Sequence, residues 1–146
     1  GYLFKSVSFE YSEMDNIDPI KMDIYLDPII EGITVKLNNI YFKTGKWTLL
    51  PKSKVELNKL FQLMKTNPGL KIELGGHTDN VGPDQSNNKL SLNRVKSVID
   101  YLKGKGIPST RMVGKGHGAL KPIADNNTTN GRKENRRVEF TVLNIR

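Results

Sequence analysis

Two charged residues, Asp79 and Arg94, are the leading candidates for chemistry in this 146-residue chain. Asp79 falls in the run Gly75-Gly76-His77-Thr78-Asp79-Asn80-Val81-Gly82, which follows a strand-like segment and turns on glycines. Arg94 closes the run Asn87-Asn88-Lys89-Leu90-Ser91-Leu92-Asn93-Arg94, which leads into a helix-like segment. Loops at the carboxyl ends of strands are where open α/β sheets usually bind ligands. A carboxylate and a guanidinium facing one cleft can hold a zwitterion. The carboxylate takes an ammonium, and the guanidinium fork takes a carboxylate through two parallel hydrogen bonds. By charge type alone, the same two residues read first as a structural ion pair or as solvated surface charges.

Other chemistries find less support. His77 and His117 are the only histidines and there is no cysteine, too few ligands for a zinc site; no metal and no cofactor is expected. His77 is expected to shape its loop through hydrogen bonds. No serine or cysteine sits in a triad motif, so no enzymatic activity is expected, and Ser91 reads as a capping or packing residue. Gly114-x-Gly116-x-Gly118 superficially resembles a phosphate loop but lacks the following helix and the later acid. Trp47, Leu49 and Leu50 read as core or helix-docking residues, not as a sugar-stacking platform.

The elements that must position Asp79 and Arg94 follow from periodicity. Residues 33–37, 40–42, 70–74, 111–115 and 138–142 are strand-like. Leu57, Leu60, Phe61 and Met64 form one helical stripe behind Pro51, which suits a first helical turn, and Asn67-Pro68-Gly69 ends it. Val95, Val98, Ile99 and Leu102 form a second stripe, ended by Gly104 and Gly106. Residues 75–86 and the stretch from 116 to Arg136 read as polar loops. The order β-α-β-α-β-β predicts an α/β fold, an α+β sandwich whose mixed sheet is covered by helices and whose last strand pairs antiparallel with its neighbour.

Charge divides the chain. Residues 1–31 carry seven acids against two bases, whereas residues 32–146 carry 21 bases against eight acids. The division predicts a domain over 32–146, preceded in 1–31 by the tail of a β-rich domain and a linker. The chain opens on Gly, so it reads as a fragment of a longer protein. No apolar run approaches the ~20 residues needed to span a bilayer. A basic unit favours polyanions, whether nucleic acid, anionic lipid or an anionic cell-wall polymer. The bases are spread over all elements and no nucleic-acid-binding signature appears, so a nucleic-acid module is the alternative and nucleic acid is not the expected partner. A cell-wall hydrolase is the other alternative.

Gly76-His77-Thr78-Asp79-Asn80-Val81-Gly82, then Asn87-x-x-Leu90-Ser91-x-x-Arg94, then Asn135-Arg136-Arg137-Val138, resembles the signature of the OmpA C-terminal family, shared with the Pal and MotB proteins. The resemblance covers roughly residues 36–146. Val95 departs from it, because the family usually has alanine after the arginine. The resemblance implies non-covalent binding of peptidoglycan through the meso-diaminopimelate of its stem peptide. Asp79 would receive the ammonium and Arg94 the carboxylate, with Thr78, Asn80, Asn87 and Arg137 lining the pocket and Gly76, His77 and Gly82 shaping the loop. It also implies a location in the periplasm, at the outer membrane, where the domain anchors an envelope protein to the cell wall. The N-terminal stretch looks like linkers of Bacteroidetes cell-envelope proteins, some of them type IX secretion components. Other envelope proteins would then be partners through a part of the protein that precedes it.

Overall fold

The computed structural model describes residues 2–4 and 28–145. The tail and linker expected over 1–31 lie largely outside the described residues. Among the described residues four strands form one mixed sheet: β1 (Thr34–Leu37), β2 (Lys71–His77), β3 (Met112–Gly118) and β4 (Val138–Asn144). Helix α1 (Lys54–Thr66) joins β1 to β2, α2 (Asp84–Gly104) joins β2 to β3, and α3 (Thr129–Asn135) precedes β4. The expected α/β order and mixed sheet are both present. The spatial order is β1-β4-β2-β3, with β2 and β3 parallel and β4 antiparallel to both β1 and β2. The crossover through α1 thus leaves a gap between two parallel strands, and the last strand fills it. Central β4 is paired on both sides, by β1 and β2.

Alternation separates the two sheet faces. Ile72, Leu74, Val138, Phe140 and Val142 are buried with Leu57, Leu60, Leu63 and Met64 of α1 and Val95, Val98 and Leu102 of α2. The opposite face is polar: Glu73 pairs with Lys115 at 2.7 Å, and the Thr34 and Thr141 hydroxyls meet at 2.7 Å. Arg111 secures the α1–β2 turn. Its guanidinium donates to the carbonyls of Met64, Asn67 and Leu70 at 2.7–2.9 Å, satisfying oxygens of the helix end and of the turn that follows it.

Four expectations need correction. Residues 40–42 make no strand; Phe42 forms only an isolated bridge to Leu49, because Gly45 (φ 64) folds the intervening chain into a tight loop. Gly75-Gly76-His77 continues β2 and is not loop. A Cβ on Gly76 would stand 2.5 Å from the Ser91 carbonyl oxygen, so glycine there lets α2 lie directly on the strand. The polar stretch before Arg136 contains α3, which has no apolar stripe. Thr128 caps it by accepting the Gly131 N–H at 2.9 Å. Asn135 anchors the preceding loop, accepting from the N–H groups of Ile123 and Ala124. Finally, Trp47 is half exposed, not core.

The N-terminal segment touches this domain. Tyr2 bridges Pro28, Leu3 and Ile29 are buried in the core, and the Phe4 and Phe140 rings lie 6.3 Å apart.

Candidate functional site

The β2–α2 loop, residues 78–83, presents Asp79. Strand β2 ends on two backbone bonds, His77 N–H to the Arg137 carbonyl (3.0 Å) and Thr78 N–H to the Gly118 carbonyl (2.9 Å). Beyond them the chain leaves the sheet. Asp79 Oδ1 accepts the Val81 N–H at 3.1 Å, a local turn that fixes the carboxylate. Gly82 (φ 90) completes the turn in a conformation that favours glycine. Asn87, in the first turns of α2, is buried. Its amide donates to the Val81 carbonyl (3.1 Å), with longer contacts to the Gly82 and Asp79 carbonyls. Asn87 therefore holds the loop through its backbone. Thr78 is buried with no partner for its hydroxyl, and Asn80 is exposed.

Arg94 projects from the middle of α2. Its Nε donates to the Lys46 carbonyl at 3.2 Å and its guanidinium lies 5.0 Å from the centre of the Phe42 ring. Burial lowers its pKa from the ordinary arginine range; the Arg136 charge acts in the same direction and Asp79 opposes both. Arg94 keeps its charge, since guanidinium stays protonated in proteins. Arg136 completes the group: its Nη1 bonds Asp79 Oδ2 at 2.6 Å. Arg94 and Arg136 line one cavity of ≈ 360 Å³ with Lys36, Tyr41, Phe42 and Lys133. The arrangement is a carboxylate paired with one guanidinium, Arg136, which shares a cavity partly walled by Tyr41 and Phe42 with a second, Arg94, suited to a ligand with both charge signs.

Arg137 lines the same cavity, as expected, but its guanidinium bonds away from Asp79. Its Nε donates to Glu139 Oε2 (2.9 Å) and its Nη1 to the Lys121 carbonyl (3.2 Å), and its side chain is almost fully buried. Strand alternation explains the difference. Val138, Phe140 and Val142 face the helices; counting back by two puts Arg136 on that side and Arg137 on the other. That count, available from sequence, puts Arg136 on the side where it meets Asp79.

His77 ends β2 on the polar face, buried, with Nε2 3.0 Å from Glu139 Oε1 and its ring stacked on His117 at 4.9 Å. Burial first, then the Arg137 charge, pulls its pKa from 6.5 to about 4 despite Glu139. Neutral His77 therefore donates from Nε2 to the carboxylate, and Nδ1 is left buried without a partner. Gly76 and His77 shape the loop from within the strand that launches it. Among the described residues, no group of His, Asp and Glu is arranged to hold a metal ion.

Residues 41–136 match the model of the OmpA family. The chain belongs to the OmpA family. Among its relatives, outer membrane porin F of Pseudomonas fluorescens is 36% identical over 115 residues, covering 79% of this chain and 35% of the relative. The peptidoglycan-binding protein ArfA of Mycobacterium bovis is 38% identical over 103 residues, covering 70% of this chain and 32% of ArfA. The chain thus spans about a third of the length of these relatives. Among solved OmpA-like structures, the cell wall anchor of the type VI secretion system from Pseudomonas aeruginosa superposes with a TM-score of 0.64 at 26% identity, covering 76% of this chain and 79% of the anchor. No described helix of this OmpA-family chain is long and apolar enough to cross a membrane.

Proposed function

We propose that this domain binds peptidoglycan non-covalently, with Asp79 receiving the ammonium and Arg94 the carboxylate at the distal end of a meso-diaminopimelate side chain. The supporting observation is a turn-fixed carboxylate, Asp79, whose ion-pair partner Arg136 shares one cavity with the partly buried Arg94 guanidinium, a charge that solvent screens less than at an open surface. ArfA, a peptidoglycan-binding relative, and the type VI cell wall anchor, a structural relative, give the same ligand class. The domain would then hold an outer-membrane or periplasmic complex to the cell wall without cleaving it. The resemblance of the N-terminal stretch to Bacteroidetes linkers makes a type IX secretion assembly the complex to look for.

Calorimetry with stem peptides tests the reading. A diaminopimelate peptide binds, and its L-lysine analogue, which lacks the distal carboxylate, binds weakly. Asp79→Ala and Arg94→Ala each lose about 2–4 kcal/mol, because each strands a desolvated ligand charge. Arg94→Lys also binds poorly, since a point charge does not reproduce the fork. Equal affinities for the two peptides, or full binding by Arg94→Ala, would place the ligand elsewhere. Soluble fragments released from insoluble peptidoglycan, followed by mass spectrometry, would refute the non-enzymatic half.

A further inference from the structure

We infer that Arg136 is a second anion anchor of this site, released from Asp79 when a ligand ammonium arrives, so that the site selects a fragment bearing one ammonium and two carboxylates. The inference rests on the Asp79–Arg94 reading above and extends it to ligand selection.

Both oxygens of Asp79 are occupied: Oδ1 by the Val81 N–H, Oδ2 by Arg136 at 2.6 Å. An ammonium that takes Asp79 therefore competes with Arg136. Of the two ion-pair partners, Arg136 is the one able to move. Its side chain is 44% exposed, whereas that of Asp79 is 13% exposed and tied into its turn. Once displaced, Arg136 lies with Arg94 along one cavity. Among the described residues that line the cavity the only acid is Glu134, which already pairs with Lys36. Two guanidinium groups there without an anion repel each other, and burial makes the repulsion worse than in water.

Charge balance then specifies the ligand. Asp79, Arg94 and Arg136 together carry one net positive charge. A bare zwitterion leaves that charge in place, whereas a fragment with one further carboxylate cancels it. Lys133 on the rim adds to the same bias. In a stem peptide, a further carboxylate near the diaminopimelate has two sources. One is the free α-carboxyl of the preceding γ-linked glutamate, and the other is the C-terminal carboxyl of the peptide.

Calorimetry on the full chain separates these sources with three diaminopimelate peptides: one with both carboxyls free, one with the glutamate α-carboxyl amidated, and one with the C-terminus amidated. Wild type should lose about tenfold in affinity on one of the amidations, the equivalent of one charge-assisted contact. Arg136→Gln should bind all three alike while still rejecting the L-lysine peptide, which shows that the Arg94 half is intact and the variant folded. Wild-type indifference to both amidations overturns the inference and leaves the Asp79–Arg94 reading standing. So does a penalty that persists in Arg136→Gln. Failure of wild type to distinguish diaminopimelate from lysine overturns both.

Discussion

Gly116→Ala should separate the two halves of the site by prising α2 off the sheet. The added Cβ would stand 2.6 Å from Leu92 N, 2.7 Å from Leu92 Cβ and 2.8 Å from the Asn88 carbonyl oxygen. Two of these three atoms are helix backbone, so no side-chain rotation relieves the contact. Ordinary carbon contacts lie at about 3.5–4.0 Å, so α2 must retreat by roughly 1 Å. Val95, Val98 and Leu102 are fully buried beneath it, a state worth about 2 kcal/mol each. A gap of that size forfeits about a quarter to a half of the dispersion on one side. The expected destabilisation is about 2 kcal/mol, within the usual range for overpacked cores. The same movement carries Arg94 and Asn87 away from Asp79, so binding of the diaminopimelate peptide should weaken even where the variant is fully folded. Gly104→Ala is the internal control. It lies in the last turn of the same helix with nothing within 4 Å of its Cβ, and should be neutral or stabilising by up to about 1 kcal/mol. Urea denaturation of both variants measures the difference. A Gly116→Ala protein as stable as wild type would mean that α2 does not sit on β3 at this distance.

Acid should weaken the fold through His77. Unfolded, its imidazole takes a proton below 6.5, whereas folded it does so only at about 4. Stability is therefore whole above pH 6.5 and falls as the pH drops to 4, by about 3 kcal/mol in all. The denaturation free energy of His77→Gln should slope less in that window, leaving the share of His117, whose pKa burial also lowers; an unchanged slope would remove His77 as the source. Arg111→Met should cost about 2 kcal/mol in chemical denaturation, since it strips donors from three carbonyls of the α1–β2 turn, and no loss would mean water replaces them fully. A chain beginning at Gly32 should still melt cooperatively by calorimetry but with about 3–5 kcal/mol less stability, from the loss of buried Leu3 and Ile29. A non-cooperative melt would move the domain boundary upstream.

Sequence alone determined those elements whose apolar residues repeat with a clear period. The stripe Leu57-Leu60-Met64 identifies α1, Val95-Val98-Leu102 identifies α2, and Val138-Phe140-Val142 identifies β4, because burial against a single layer imposes periods of 3.6 and 2. It also placed Asp79 in a loop and Arg94 on the next helix, since the glycines and the apolar stripe that follow each are local features. Tertiary structure decided the rest. Helix α3 has only Gly131 and Asn135 buried, so it leaves no apolar period to read; its stability comes from the Thr128 cap and from Asn135 reaching back to Ile123 and Ala124. Gly75-Gly76 reads as a turn by composition, yet β2 runs through it, because α2 presses a backbone carbonyl where a side chain would have to be. The partner of Asp79 is Arg136, distant in sequence, and the insertion of β4 between β1 and β2 brings the two together. Strand order is settled by which edges remain unpaired once the helices have crossed over, and no local pattern of residues encodes that.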